Sequence, residues 1–298
     1  MPASRYRGRF APSPTGPLHF GSLVTALASY LEALVHDGQW LVRIDDLDQA
    51  RQVKGMDSVI LNTLEAFGFE WQGPVTYQSQ STPAYQKALR KLRSSGFTYV
   101  CRCSRSQIRR SARIGLEGPV YPDTCRDLDL SETEHTAIRL RTNDQTVRFH
   151  DGVFGEQVQQ VHRDVGDFVI RRADGYFAYQ LAVVIDDSLA EITHVVRGAD
   201  LLLSTARQIY LQQLLGFAQP SYLHVPLVLD SRGRKLSKRD SAHPVDDASP
   251  VISLLDAWLF LNQAPPYMAA DLTLPDFWAW AAAHWEPALM TARKGAIS

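Results

Sequence analysis

The sequence is short of three things: cysteine, net charge and long apolar runs. Cys101, Cys103 and Cys125 are the only cysteines in 298 residues, and all lie within one 25-residue window. An odd, clustered set does not make a disulfide framework and points instead to metal in a reducing compartment. Formal net charge is −1, which excludes a globally basic nucleic-acid binder, so any such partner has to meet a local patch. No apolar run approaches the roughly 18 residues of a membrane-spanning helix, so no membrane association is expected. The leading MPASRYRGRF is basic without an apolar stretch; it does not read as a secretory signal, and a cytoplasmic location is expected. Internal repeats and low-complexity tracts are missing too, which sets solenoids and disordered arrays aside.

What is present is an ordinary globular composition, 45% hydrophobic and 21% charged, long enough for one large domain or two to three small ones. Arg5 to Phe10 predicts a short strand, and from Leu18 the positions Leu23, Val24, Leu27, Leu31, Leu34 and Val35 continue at helical spacing. Trp40 to Ile44 predicts a buried strand ending at Asp45, Asp46 and Asp48, and Met56 to Phe67 a second helix stopped by Gly68. This alternation predicts a parallel sheet. From about Phe97 the texture changes to cysteines, arginines and short strands such as Thr136 to Arg141 and Val147 to Asp151, as in an inserted domain. Around Phe177 the first pattern returns: FAYQLAVVIDD predicts a buried strand, then ITHVVRG a strand, ADLLLSTARQIYLQQLLG a helix and YLHVPLVLD a strand. Two weakly amphipathic helices are expected near 250 to 263 and 275 to 284.

Two loops carry the chemistry. APSPTGPLHFGS (11 to 22) is a Pro/Gly turn running into a helix. Unpaired N–H groups and partial positive charge gather at a helix start, and Gly16 and Gly21 would let a phosphate approach the backbone there. His19 would sit in the first helical turn, its ring within reach of a phosphate oxygen. Taken alone, such a turn is commonplace. RGRKLSKR (232 to 239) would ordinarily be a solvated charged loop. Here its lysines flank Ser237 just after a strand, where open α/β sheets bind ligands, and a polyphosphate suits it.

In YVCRCSR the period of two places Cys101 and Cys103 on one strand face, and Cys125 can return to them across a Gly/Pro loop. Three thiolates can share one structural zinc that needs a fourth ligand; three reduced cysteines without metal are the alternative. Arg102, Arg105, Arg109, Arg110 and Arg113, with Tyr99 and Tyr121 nearby, suit an RNA backbone or simply a wet helix face.

Together, HFGS and KLSKR resemble the HIGH and KMSKS signatures of class I aminoacyl-tRNA synthetases, and RFAPSPTGPLHFGS resembles the glutamyl/glutaminyl branch. The resemblance extends through VRIDDLD, FAYQLAVVIDD and VVRGADLLLSTARQ, from Arg9 to Arg239. Only 59 residues follow Arg239, too few for the anticodon-binding region of full-length glutamyl enzymes. The length is similar to that of the truncated paralogue family, the glutamyl-Q tRNA(Asp) synthetases, and Val183, where full-length enzymes have Asn, agrees.

The resemblance implies an α/β fold: a Rossmann-like catalytic domain with a parallel sheet (1–96 and 176–240), an inserted zinc-bearing, tRNA-contacting domain of acceptor type (97–175), a short helical C-terminal segment (241–298), and no anticodon-binding domain. It implies tRNA-independent activation of L-glutamate by ATP and Mg²⁺, then transfer to the queuosine base in the anticodon of tRNA(Asp), by a protein expected to be a monomer. Roles follow residue by residue: His19 and Lys238 for catalysis; Gly21, Lys235 and Ser237 beside them for ATP; Arg9, Phe10, Ala11, Pro12, Ser13, Asp45, Tyr179 and Arg197 for glutamate. Asp45 stands where the family has Glu. For zinc, the family adds a tyrosine, here Tyr121, to Cys101, Cys103 and Cys125, with Asp123 as the fallback ligand. A truncated enzyme charging a tRNA 3′ end and a non-catalytic RNA-binding paralogue are the rival readings.

Overall fold

In the computed structural model, which describes residues 5–228, 244–267 and 272–291, the chain begins with a strand–helix–strand unit. β1 (Arg7–Phe10), α1 (Phe20–Val35), β2 (Gln39–Ile44), α2 (Met56–Ala66), β3 (Thr76–Tyr77) and α3 (Thr82–Ser94) follow in order. A stretch of short elements comes next: β4 (Thr98–Cys101), α4 (Arg105–Ser111), β5 (Ile114–Gly115), β6 (Gly118–Pro119), β7 (Ala137–Leu140), β8 (Thr146–Asp151), β9 (Gly155–Gln160), α5 (Val161–Asp164) and β10 (Val169–Arg171). The remainder forms α6 (Tyr179–Leu189), β11 (His194–Gly198), α7 (Thr205–Leu215), β12 (Ser221–Val225), α8 (Pro250–Phe260) and α9 (Leu274–His284).

β1, β2 and β3 form a parallel sheet with Gly8 opposite Trp40 and Phe10 opposite Val42. β11 and β12 are also parallel, Arg197 opposite His224. The edges of these two sheets are bridged where Thr193 N donates to Arg7 O at 3.0 Å and Arg7 N to Thr193 Oγ1 at 2.8 Å. Parallel strands need long crossovers and covered faces, which α1 and α7 supply. One core forms around Trp40, Phe10, Phe69 and α1, and it is closed by Trp258 and Phe277 from the last two helices and by Trp285 just beyond them.

Two expectations change. FAYQLAVVIDD forms helix α6, not a strand. Leu181 to Asp187 are all buried, so no polar stripe marks a 3.6-residue period, and the β-branched VVI imitates strand composition. The second change concerns the inserted stretch. Its β8–β9 hairpin pairs with β12, Asp151 beside Tyr222, so residues 146–160 extend the second parallel sheet. Ile138, Phe149 and Ile170 then share a core with Tyr85, Leu181 and Ile209. Among the described residues no helix is long and apolar enough to cross a membrane.

Gly68 ends α2 as expected, with φ +73°, and α9 docks against it: Trp278 Nε1 donates to Phe67 O at 3.0 Å. A Cβ at Gly68 would lie 2.8 Å from that nitrogen. Gly68→Ala therefore combines left-handed strain with a clash and is expected to destabilise the protein by about 2 kcal/mol in equilibrium urea unfolding.

Candidate active site

The carboxyl ends of β1, β2, β11 and β12 and the start of α1 surround a cavity of about 520 Å³. This is where parallel α/β sheets place ligands. The Pro/Gly turn is tied to the segment that follows β2, Asp45 N donating to Pro12 O and Val53 N to Pro14 O, each at 2.9 Å. Arg9, Phe10, Ala11, Pro12, Ser13, His19, Gly21, Asp45, Tyr179 and Arg197 all line the cavity. Lys235, Ser237 and Lys238 lie outside the described residues.

His19 is the N-cap of α1, one position ahead of the first helical turn in which it was expected. Its Nδ1 accepts from Ser22 N at 3.2 Å, which leaves the proton of a neutral ring on Nε2, 3.3 Å from Ser22 Oγ. Gly21 makes room for the ring, since a Cβ there would sit 3.3 Å from its Cε1 and Nδ1.

Beneath the cavity runs a buried chain of four charges. Asp187 Oδ1 accepts from Arg9 Nε at 3.1 Å and from Arg43 Nη1 at 2.6 Å, while Arg43 Nε donates to Asp45 Oδ1 at 2.7 Å. Burial alone would raise both carboxyls. At Asp187 the charges of Arg9 and Arg43 outweigh it and hold the group below the usual carboxylate range. At Asp45 burial prevails over Arg43 and pushes the group up to about 6. Burial likewise raises the Tyr179 phenol, which stays protonated and able to donate. Arg43 and Asp187 had been assigned no role from the sequence. Their signal was present: a charged residue inside an otherwise buried segment requires a partner.

Away from the cavity, the three cysteines meet around Tyr121. Cys103 Sγ is 3.5 Å from Cys125 Sγ, and the Tyr121 hydroxyl is 3.4 Å from Cys101 Sγ, 3.6 Å from Cys103 Sγ and 2.8 Å from Cys125 N. Asp123, the fallback ligand, instead groups with His162 and Asp167. Arg102, Arg105, Arg109, Arg110 and Arg113 are exposed. Tyr99 and Tyr121 are buried, however, the former donating to Asp167 Oδ2 at 2.8 Å. They are thus withdrawn from the arginine-rich surface that was expected to meet an RNA backbone or to stay wet.

Arg43→Met would leave Asp45 buried without its cation and Asp187 with Arg9 alone, and a loss of about 3–5 kcal/mol is expected in chemical denaturation. Without the guanidinium both folded-state carboxyl values rise, so protonation favours the variant's native state. Its deficit should widen as pH is raised from about 5 to about 8, which parallel denaturation curves would show.

Residues 5–253 match the family of class I tRNA synthetases (E and Q), catalytic domain. A glutamyl-Q tRNA(Asp) synthetase from Dechloromonas aromatica is 50% identical over 284 residues, covering 95% of this chain and 94% of that protein. One of the same name from Chromobacterium violaceum is 48% identical over 286 residues, covering 96% and 95%. The crystal structure of a glutamate tRNA ligase from Elizabethkingia meningosepticum, in complex with its amino acid, has a TM-score of 0.78 at 25% identity. It covers 97% of this chain, which spans 66% of that longer ligase. With the cavity at the strand ends and these relatives, the chain belongs to the class I tRNA synthetases of the glutamyl/glutaminyl group, ligase-type enzymes, and within them to the glutamyl-Q tRNA(Asp) synthetase family.

Proposed function

We propose that this enzyme activates L-glutamate with ATP and Mg²⁺ in the absence of tRNA, and transfers the glutamyl group to the queuosine base of the tRNA(Asp) anticodon. The observation that carries this reading is the gathering of Arg9, Asp45, Tyr179 and Arg197 in one cavity with His19. An amino acid with a side-chain carboxylate needs a cation at one end and an anion for its ammonium at the other, because neither charge is cheaply buried alone. Arg9 and Arg197, with the Tyr179 hydroxyl donating, take the first; Asp45 takes the second. Phe10, Ala11, Pro12 and Ser13 form the wall between them.

The α-carboxylate of glutamate is already a nucleophile, so its attack on the α-phosphorus of ATP requires no general base. Placement and charge stabilisation suffice while pyrophosphate leaves. His19 Nε2–H and Lys238 stabilise the developing charge, and Gly21, Lys235 and Ser237 admit and hold the triphosphate. A hydroxyl of the queuosine cyclopentenediol, in place of a terminal ribose diol, then attacks the adenylate carbonyl and AMP departs. The exposed arginines from Arg102 to Arg113 offer phosphate contacts to the RNA.

We assign Cys101, Cys103, Tyr121 and Cys125 as the ligands of one structural zinc. Zinc–sulfur bonds of about 2.3 Å put tetrahedral ligand atoms roughly 3.5–3.8 Å apart, which the separations around Tyr121 match within a few tenths of an ångström. Residues 97–175 form a zinc-bearing unit whose β8–β9 hairpin is shared with the catalytic sheet.

Glutamate-dependent ATP–pyrophosphate exchange without tRNA tests the first step, and glutamate transfer to tRNA(Asp) with and without queuosine tests the second. Transfer to the 3′ end of tRNA(Glu) would overturn the assignment. His19→Ala is expected to slow exchange by about 100-fold with circular dichroism unchanged; wild-type exchange would remove His19 from the mechanism. For the metal, elemental analysis should find about one zinc per chain, absent in Cys125→Ser together with a lower melting temperature.

A further inference from the structure

Resting on the glutamate reading above, we propose that His224, held by Asp151, is a positioning residue that fixes the Arg197 guanidinium as an uncompensated cation for the substrate's side-chain carboxylate. Neither residue lines the cavity itself. Both act from behind it, on β12 and at the end of β8, and both are 0% exposed at the side chain.

Every acceptor around Arg197 is neutral. Its Nε donates to His224 Nε2 at 3.0 Å, Nη1 to Gln208 Oε1 at 2.7 Å, and Nη2 to Thr205 Oγ1 at 2.9 Å and Leu201 O at 3.4 Å. Among the described residues no carboxylate lies within ion-pair distance of Arg197. Arg9, by contrast, is already bound to Asp187. Neutral acceptors orient a guanidinium without cancelling its charge, and in a low-dielectric wall the remaining charge acts strongly on an arriving carboxylate. Of the two arginines assigned to that carboxylate, Arg9 and Arg197, the latter therefore supplies the larger share of the attraction.

The arrangement depends on one histidine tautomer. A guanidinium only donates, so Nε2 must carry a lone pair, and the proton of a neutral ring must then sit on Nδ1. Asp151 Oδ2 lies 2.6 Å from Nδ1 to receive it. Asp151 is itself fixed by the backbone N–H groups of Val153 and Phe154 at 3.1 and 2.9 Å. Burial pushes His224 down to about 4, so the ring is neutral at physiological pH.

Two measurements test this. Long-range ¹H–¹⁵N NMR of the wild-type protein at neutral pH should show His224 as the Nδ1–H tautomer; an Nε2–H or doubly protonated ring would overturn the proposal, whatever the substrate and whether or not any variant folds. In glutamate-dependent exchange, His224→Asn keeps a donor for Asp151 but falls short of Arg197. It should raise KM for glutamate about 10-fold or more, with kcat and KM for ATP within about 2-fold. His224→Gln, whose amide oxygen reaches the place of Nε2, should restore KM for glutamate to within about 3-fold of wild type. An unchanged glutamate KM in His224→Asn, or equal rises for ATP and glutamate, would overturn the proposal. So would a glutamine variant no better than the asparagine one. Wild-type protein with the Nδ1–H tautomer but no glutamate-dependent exchange would overturn the glutamate reading and the role built on it, a failure distinct from a wrong tautomer.

Discussion

One guanidinium, that of Arg43, answers for two buried carboxylates, and the floor of the active site rests on it. Asp187 shares its oxygen between Arg43 and Arg9, and Asp45 takes the other edge of the Arg43 fork. Of the elements that supply these charges, α6 lies more than a hundred residues beyond β1 and β2, so the ion chain fixes their mutual placement as well as their charges. A buried pair is a poor source of net stability, since desolvation offsets much of the attraction. Its use here is geometric: Arg9 and Asp45, which both line the cavity, are held at a set separation.

Much of the site was legible in the sequence because it resides in loops whose residue types have few other uses. A Pro/Gly turn before a histidine, an acid at a strand end and an arginine inside a β-strand each state a local requirement. What was not legible depends on neighbours distant in the chain. α6 lost its helical signature because it is buried all round, and period is visible only where one face stays wet. Tyr99 and Tyr121 looked like surface aromatics from their arginine-rich surroundings, but Asp167 and the cysteines draw them inward. Arg43 and Asp187 were plain as buried charges, yet pairing them required knowing that residues 43 and 187 meet.

The stretch between α3 and α6 is less separable than its change of composition suggests. Its hairpin completes the second sheet, and its apolar residues enter the core shared by α3, α6 and α7. The cysteine cluster sits further out, with Arg139 stacked on the Tyr121 ring at 3.7 Å. The cysteine-bearing part of this region and its sheet-forming part thus belong to different packing units. Substitutions that disturb one need not propagate to the other.

The closure of the first core by the last helices bears on how the protein is made. Trp285 Nε1 donates to Glu32 Oε1 at 2.7 Å, across 253 residues, and Trp278 reaches Phe67 across 211. Until those tryptophans leave the ribosome, the side of α1 that packs on α8 and α9 has no cover, although the turn and histidine that open the helix were synthesised among the first twenty residues. Domains tend to fold as units while the chain emerges, and exposed apolar surface in the interval invites aggregation or chaperone capture. A chain that ends short of Phe277 therefore keeps the bonds that tie its Pro/Gly turn to Asp45 and Val53 but leaves one side of the helix behind that turn open to solvent.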